Sequence, residues 1–138
     1  MSIIDQLAHA CVAAESLSEA EKFFSGLLGM QIQFRFMKGE KIIGYYFNAG
    51  NGTYIEVFEG SNLPNEKPVL RHLCLETDNI DDIISKFKAA GAYIGEKKKG
   101  ADQSFQVWTK GPNGLDIEFH QYTAESCQKT KKDCYVNW

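Results

Sequence analysis

The sequence predicts an α+β domain made of two copies of one unit, each a strand, a helix and three further strands. Three observations carry that prediction. The first is a repeat: "NGTYIE" at residues 51–56 and "NGLDIE" at 113–118 share Asn-Gly-x-x-Ile-Glu at an offset of 62 positions (118 − 56). Upstream, "AHACV" and "RHLCL" set His9 against His72 and Cys11 against Cys74 at nearly the same offset. The second is periodicity, because each copy has one stretch with helical spacing: Phe23, Phe24, Leu27 and Leu28 before Gly29, and Ile83, Ile84, Phe87 and Ala90 before Gly91. Each glycine is placed to cap the helix it follows. The third is length, since two copies of this size are too few and too long for a solenoid and fit a duplicated fold unit.

Taken in order, the first copy predicts a strand at 6–13, a helix at 18–28, and strands at 30–37, 42–48 and 53–59. The second predicts a strand at 70–76, a helix at 80–90, and strands at 92–97, 104–109 and 115–121. Asn48 to Gly52 and Gly111 to Gly114 carry the Gly, Asn and Pro chemistry of hairpin turns. "GSNLPNEKP" reads as the linker between copies. One domain over residues 1–122 follows, with modules at about 5–60 and 69–122 and a polar C-terminal tail at 123–138.

The composition, 43% hydrophobic and 24% charged over 138 residues, is that of a soluble globular chain. No stretch approaches the ~18 apolar residues of a membrane span, and "MSIIDQLAHA" lacks the basic start of a signal peptide. A cytoplasmic protein with no membrane partner is expected. A net charge of −3 and short lysine runs at Lys97 to Lys99 and around Lys131, without interleaved aromatics, argue against a nucleic-acid surface. Of the four cysteines, Cys11 and Cys74 sit in apolar runs and Cys127 and Cys134 in the tail, none with Cys-x-x-Cys spacing. Reduced thiols are expected, a tail disulfide being the alternative.

Side chains alternate along a strand, so His9 shares a face with Leu7 and Cys11, His72 with Leu70 and Cys74, and Glu56 with Tyr54 and Phe58. A carboxylate among such neighbours is costly to desolvate unless paired or bound to a metal. Taken singly, each His reads as a hydrogen-bonded core or edge residue and each Glu as solvent-facing. Taken together, His9, Glu56, His72 and Glu118 occupy related places in related units. Two imidazoles and two carboxylates suit Zn, Ni, Co, Mn or Fe(II), with positions left for water or substrate.

"LAHACV", "SEAEKFFSGLLGMQ", "TYIEVFEG", "VLRHLCLETDNID", "KFKAAGA" and "GPNGLDIEFHQYT" together resemble the vicinal oxygen chelate superfamily, also called glyoxalase/bleomycin resistance/dioxygenase, over about residues 5–122. The resemblance implies a cup of two βαβββ modules with helices outside and one divalent metal per site at the centre, held by His9, Glu56, His72 and Glu118. The His, Glu, His, Glu pattern is similar to glyoxalase I (lactoylglutathione lyase), which implies a lyase or isomerase moving a proton beside a carbonyl through a metal-stabilised enediolate. Glu56 and Glu118 would then also be the catalytic acid and base. An epimerase or a dioxygenase of the same superfamily is the alternative, as is a metal-free binding or resistance protein that uses aromatics such as Phe36, Tyr46 and Trp108. His120, two residues beyond Glu118, is a further acid/base candidate or a rim histidine. Ala13 and Gly60 stand where glyoxalase I enzymes carry glutathione-contacting Arg and Asn, so either a carbonyl compound or a thiol adduct fits as substrate. The resemblance also implies a homodimer, with ligands drawn from one chain or two.

Overall fold

A computed structural model describes residues 2–60, 70–111 and 114–138. Nine strands form one mixed, curled sheet. They are β1 (Gln6–Ala14), β2 (Ile32–Lys38), β3 (Lys41–Gly50), β4 (Thr53–Glu59), β5 (Leu70–Glu76), β6 (Lys98–Lys99), β7 (Phe105–Lys110), β8 (Asp116–Gln121) and β9 (Cys134–Tyr135). Their order across the sheet is β6-β7-β8-β5-β1-β4-β3-β2-β9. The two copies therefore meet along the antiparallel pair β1 and β5, while β4 runs parallel to β1 and β8 parallel to β5. The linker between copies lies almost wholly outside the described residues, as do Pro112 and Asn113 of the second turn.

The helices lie on the convex face, where apolar spacing directed them. Helix α1 (Leu17–Glu21) starts at Ser16, whose hydroxyl accepts from Glu19 N, and continues as a π-helical segment, Lys22–Leu27. Helix α2 (Ile80–Ala89) starts at Asn79, whose side chain accepts from Asp82 N. Such caps satisfy backbone N–H groups that have no partner inside the helix. Leu17 and Ala20 pack on Phe47 and Val57, and Ile80 and Ile83 pack on Val107 and Phe119.

Two expectations change. The first helix keeps its length but loses its regular winding: Leu28 N bonds to Phe23 O, five residues back, and Gly26 offers little resistance to the wider turn. As a result Phe24 stacks near Phe47 while Phe23, Leu27 and Leu28 are exposed, so only part of the expected apolar face is buried. The strand expected at 92–97 does not form. Tyr93 and Gly95 instead bond singly to the β7 chain, through Thr109 Oγ1 and Trp108 O, and only Lys98–Lys99 pair as a ladder.

The C-terminal segment is not a solvated tail. Helix α3 (Cys127–Thr130) and β9 lie against the concave face, with Ser126, Cys127, Gln128 and Cys134 buried. Its polar groups bond inward: Gln33 Nε2 donates to Gln128 O at 2.8 Å, Gln128 Nε2 to Asp102 Oδ2 at 2.8 Å, and Ser104 and Ser126 hydroxyls meet at 2.8 Å. Residues near opposite ends of the sheet, in β2 and just before β7, are thus tied together by one segment, which holds the curl. Cys127 and Cys134 join Phe34, Phe36, Tyr46 and Tyr54 in a concave apolar cluster, and all four cysteines are free thiols.

Gly44 of β3 lies under the Phe58 ring, where a Cβ would stand 2.8 Å from both Phe58 Cδ1 and Val57 O. Gly44→Ala is expected to destabilise the fold by about 1–3 kcal/mol, read as a lower denaturant midpoint; an unchanged midpoint would show that β3 and β4 shift freely.

Candidate metal centre and cavity

The four middle strands, β8-β5-β1-β4, each contribute one of the expected ligands in order: Glu118, His72, His9 and Glu56. The register explains why they meet. His9 lies opposite Cys74, which lies opposite Glu118, and His72 lies opposite Cys11, which lies opposite Glu56. Cross-strand partners share a face, so all four side chains rise from the concave side. The two small cysteines sit between them.

His9 Nε2 is 2.9 Å from His72 Nε2, 3.6 Å from Glu56 Oε1 and 3.3 Å from Glu118 Oε2. His72 Nε2 is 3.5 Å from the same Glu56 oxygen and 3.2 Å from the same Glu118 oxygen. Ligand atoms about 2.0–2.1 Å from a tetrahedral zinc are separated by about 3.3 Å; His9, His72 and Glu118 have that mutual spacing, and Glu56 has it to both imidazoles. Three of the residues are almost fully enclosed, with His9 at 1%, Glu118 at 4% and Glu56 at 8% exposure. Two carboxylates buried against the same pair of imidazoles are costly to desolvate, and a cation among them is an arrangement that compensates both. The residues present therefore fit one divalent ion.

The surrounding groups orient the set. His9 Nδ1 lies 2.5 Å from Tyr46 Oη. With the ring N–H donating to that oxygen, the Nε2 lone pair faces the centre. Tyr46 is fully buried and outside the cavity lining, so its place is behind His9 rather than against a substrate. His120 Nε2 donates to Glu118 Oε1 at 2.7 Å, while its Nδ1 has no hydrogen-bond partner and faces Asp102 Oδ2 at 3.9 Å. Burial opposes charge on His120, but the Glu118 carboxylate, with Asp102 and Glu56 beyond it, raises it to about 9. Burial likewise pushes Glu118 up, yet the charge of His120 and hydrogen bonds from His120, His72 and His9 hold it well below the usual carboxylate range. The Cys11 and Cys74 thiols are pushed up, by burial first and then by the glutamates, so they remain protonated.

A cavity of about 330 Å³ opens onto Glu56, His72, Glu118 and His120. Phe36 and Trp108 line it, with the Trp108 ring 4.8 Å from that of His72. Sequence reasoning missed Asp102, Phe58 and the C-terminal residues Cys134, Val136 and Trp138, which complete the walls. Asp102 sits in a turn of the second module at a place the quoted repeat motifs do not cover, and the C-terminal residues lie outside the repeat, so its logic carried no signal for them. Ala13 and Gly60 are outside the lining.

No curated protein matches the chain by sequence. The fold is that of methylmalonyl-CoA epimerase from Mycobacterium tuberculosis, with a TM-score of 0.74 at 17% identity over 89% of this chain and 91% of that one. It is also that of the Streptomyces coelicolor methylmalonyl-CoA epimerase in complex with 2-nitronate-propionyl-CoA, with a TM-score of 0.70 at 15% identity over 88% and 99%. Hypothetical protein BH1468 from Bacillus halodurans C-125 shares it as well, with a TM-score of 0.66 at 17% identity over 86% and 94%. At these identities the likeness is one of fold. The Glyoxalase/Bleomycin resistance protein/Dioxygenase superfamily model matches residues 6–119. With the duplicated unit, the curled sheet and that match on one chain, this protein belongs to the glyoxalase/bleomycin resistance/dioxygenase superfamily.

Proposed function

We propose that the protein is a metal-dependent isomerase of the epimerase type, which removes and returns a proton at a carbon next to a carbonyl. The observation that supports this reading most is the pair of carboxylates, Glu56 and Glu118, both open to one cavity and both aimed at one centre with His9 and His72. A facial triad of two histidines and one carboxylate suffices for oxygen chemistry at iron; a second carboxylate adds a base. The epimerases that share the fold favour this form of proton transfer over the glutathione-dependent lyase, and Ala13 and Gly60 lie outside the cavity lining.

A divalent ion held by His9, Glu56, His72 and Glu118 would supply a Lewis acid for the substrate carbonyl. The residues do the rest. Glu118 is pinned, one oxygen toward the imidazoles and the other on His120. Among the described residues, the ion-pair partners of Glu56 are the two imidazole nitrogens of His9 and His72, and it is the freer base. The C–H proton passes to Glu56, the bonding pair moves toward the carbonyl oxygen, and a proton relayed from His120 through Glu118 reaches the carbon from the other side. Exchange with solvent then removes the proton on Glu56 and restores the one on His120. Phe36 and Trp108 exclude water from the face where charge develops.

Three outcomes test this. Solvent deuterium should enter the carbon beside the carbonyl when metal-loaded protein is incubated in D2O with a panel of methylmalonyl-CoA, the methylglyoxal–glutathione hemithioacetal and 2-hydroxyacetophenone, read by mass spectrometry. Glu56→Gln and Glu118→Gln should each slow that exchange about 10²–10⁴-fold while circular dichroism stays unchanged; exchange at the parent rate in both variants rejects proton transfer by these carboxylates. Tyr46→Phe should weaken zinc affinity about 10–100-fold in competition with a chromophoric chelator, and full affinity would show that the Tyr46 hydroxyl does not set the His9 tautomer.

A further inference from the structure

We infer that the cavity selects an uncharged, single-ring aromatic carbonyl compound and disfavours anionic substrates, coenzyme A thioesters included. The inference rests on reading the site as one that acts on a carbonyl, and it is carried by the walls. Four aromatic side chains, Phe36, Phe58, Trp108 and Trp138, surround the space above the glutamates. The Phe58 and Trp138 rings stand 5.5 Å apart at the end of the cavity formed by the C-terminal segment, and Trp138 is 63% exposed there. No Lys or Arg is among the lining residues that the structure describes, whereas Asp102 adds a third carboxylate to Glu56 and Glu118.

Charge and size then agree. One divalent ion offsets two of the three carboxylates and the His120 ring paired with Glu118 offsets the third, which leaves no surplus positive charge for a substrate carboxylate or phosphate. Lys98, paired with Gln106 across β6 and β7, is exposed at the sheet edge and outside the lining. The volume of about 330 Å³ is at the small end of the roughly 300–1,000 Å³ typical of ligand sites. It admits one ring with a carbonyl side arm, and the nucleotide arm of a coenzyme A thioester would have to lie outside it. Offset and edge-on ring contacts reward an aromatic body over an aliphatic one of the same polarity.

Trp108 and Trp138 are the chain's two tryptophans and both line the cavity, so intrinsic tryptophan fluorescence reports on this site alone. The test uses zinc-loaded full-length protein, calorimetry for affinity and fluorescence for location, with 2-hydroxyacetophenone, its 4-carboxylate, hydroxyacetone and acetyl-CoA as probes. The expected result is saturable quenching by 2-hydroxyacetophenone, with affinity at least about tenfold above that for each of the other three probes. Trp138→Ala should weaken it about three- to tenfold, its exposed position making misfolding a minor concern that near-ultraviolet circular dichroism checks. Equal or tighter binding of the carboxylate, hydroxyacetone or acetyl-CoA overturns the inference, as does the absence of saturable binding by the ketone. Binding of the ketone without deuterium exchange would reject the isomerase reading and leave the ligand class standing. Exchange confined to a coenzyme A thioester would do the reverse.

Discussion

The antiparallel seam between β1 and β5 is the constraint on which the rest of the molecule depends. It joins the two copies into one sheet, and its register sets His9 and His72 diagonally across the pair with Cys11 and Cys74 between them. Side-chain direction has a period of two in a strand, so a slip of one residue in this seam would turn one histidine to the convex face and dissolve the site. The parallel neighbours extend the same symmetry, β4 bringing Glu56 beside β1 and β8 bringing Glu118 beside β5. Two carboxylates and two imidazoles are then forced together within one chain, at distances that a divalent cation would relieve. Fold and site are one arrangement.

The duplication supplies the centre, but the walls break its symmetry. Residues 126–134 reach β2 at one end of the sheet and the Asp102–Ser104 turn before β7 at the other, through Gln33, Asp102 and Ser104. The strand β9 also covers the outer edge of β2, where an open edge would otherwise invite pairing with another chain. The same segment carries Val136 and Trp138 to the cavity and, through Gln128, positions the carboxylate that faces His120. The segment with no counterpart in the repeat thus closes one end of a cavity whose other walls come from the modules.

How far the sequence disclosed this follows from the same division. The four inward side chains were legible because a repeat puts equivalent residues at equivalent strand positions, and alternation assigns them a face. The succession of strands was legible from turn chemistry and periodicity in the first copy, and in the second everywhere but at 92–97. The π-helical turn was not, because Phe23, Leu27 and Leu28 have the spacing of a buried helix face, and only the wider winding turns them outward. The role of 123–138 was also hidden: a run of Ser, Gln, Lys and Thr reads as solvated, and only the structure shows Ser126 and Gln128 bonding inside. Tyr46 looked like a substrate platform because aromatics at strand spacing carry no mark of which neighbour their hydroxyl will meet.

The cysteines give the sharpest test of the four-ligand centre, since Cys11 and Cys74 lie beside it and thiolates compete for zinc. X-ray absorption at the zinc edge of zinc-loaded protein distinguishes the two kinds of shell. One zinc per chain with only nitrogen and oxygen neighbours at about 2.0–2.2 Å is the result expected from His9, Glu56, His72 and Glu118. A sulfur shell at about 2.3 Å, or no stoichiometric zinc, would contradict it.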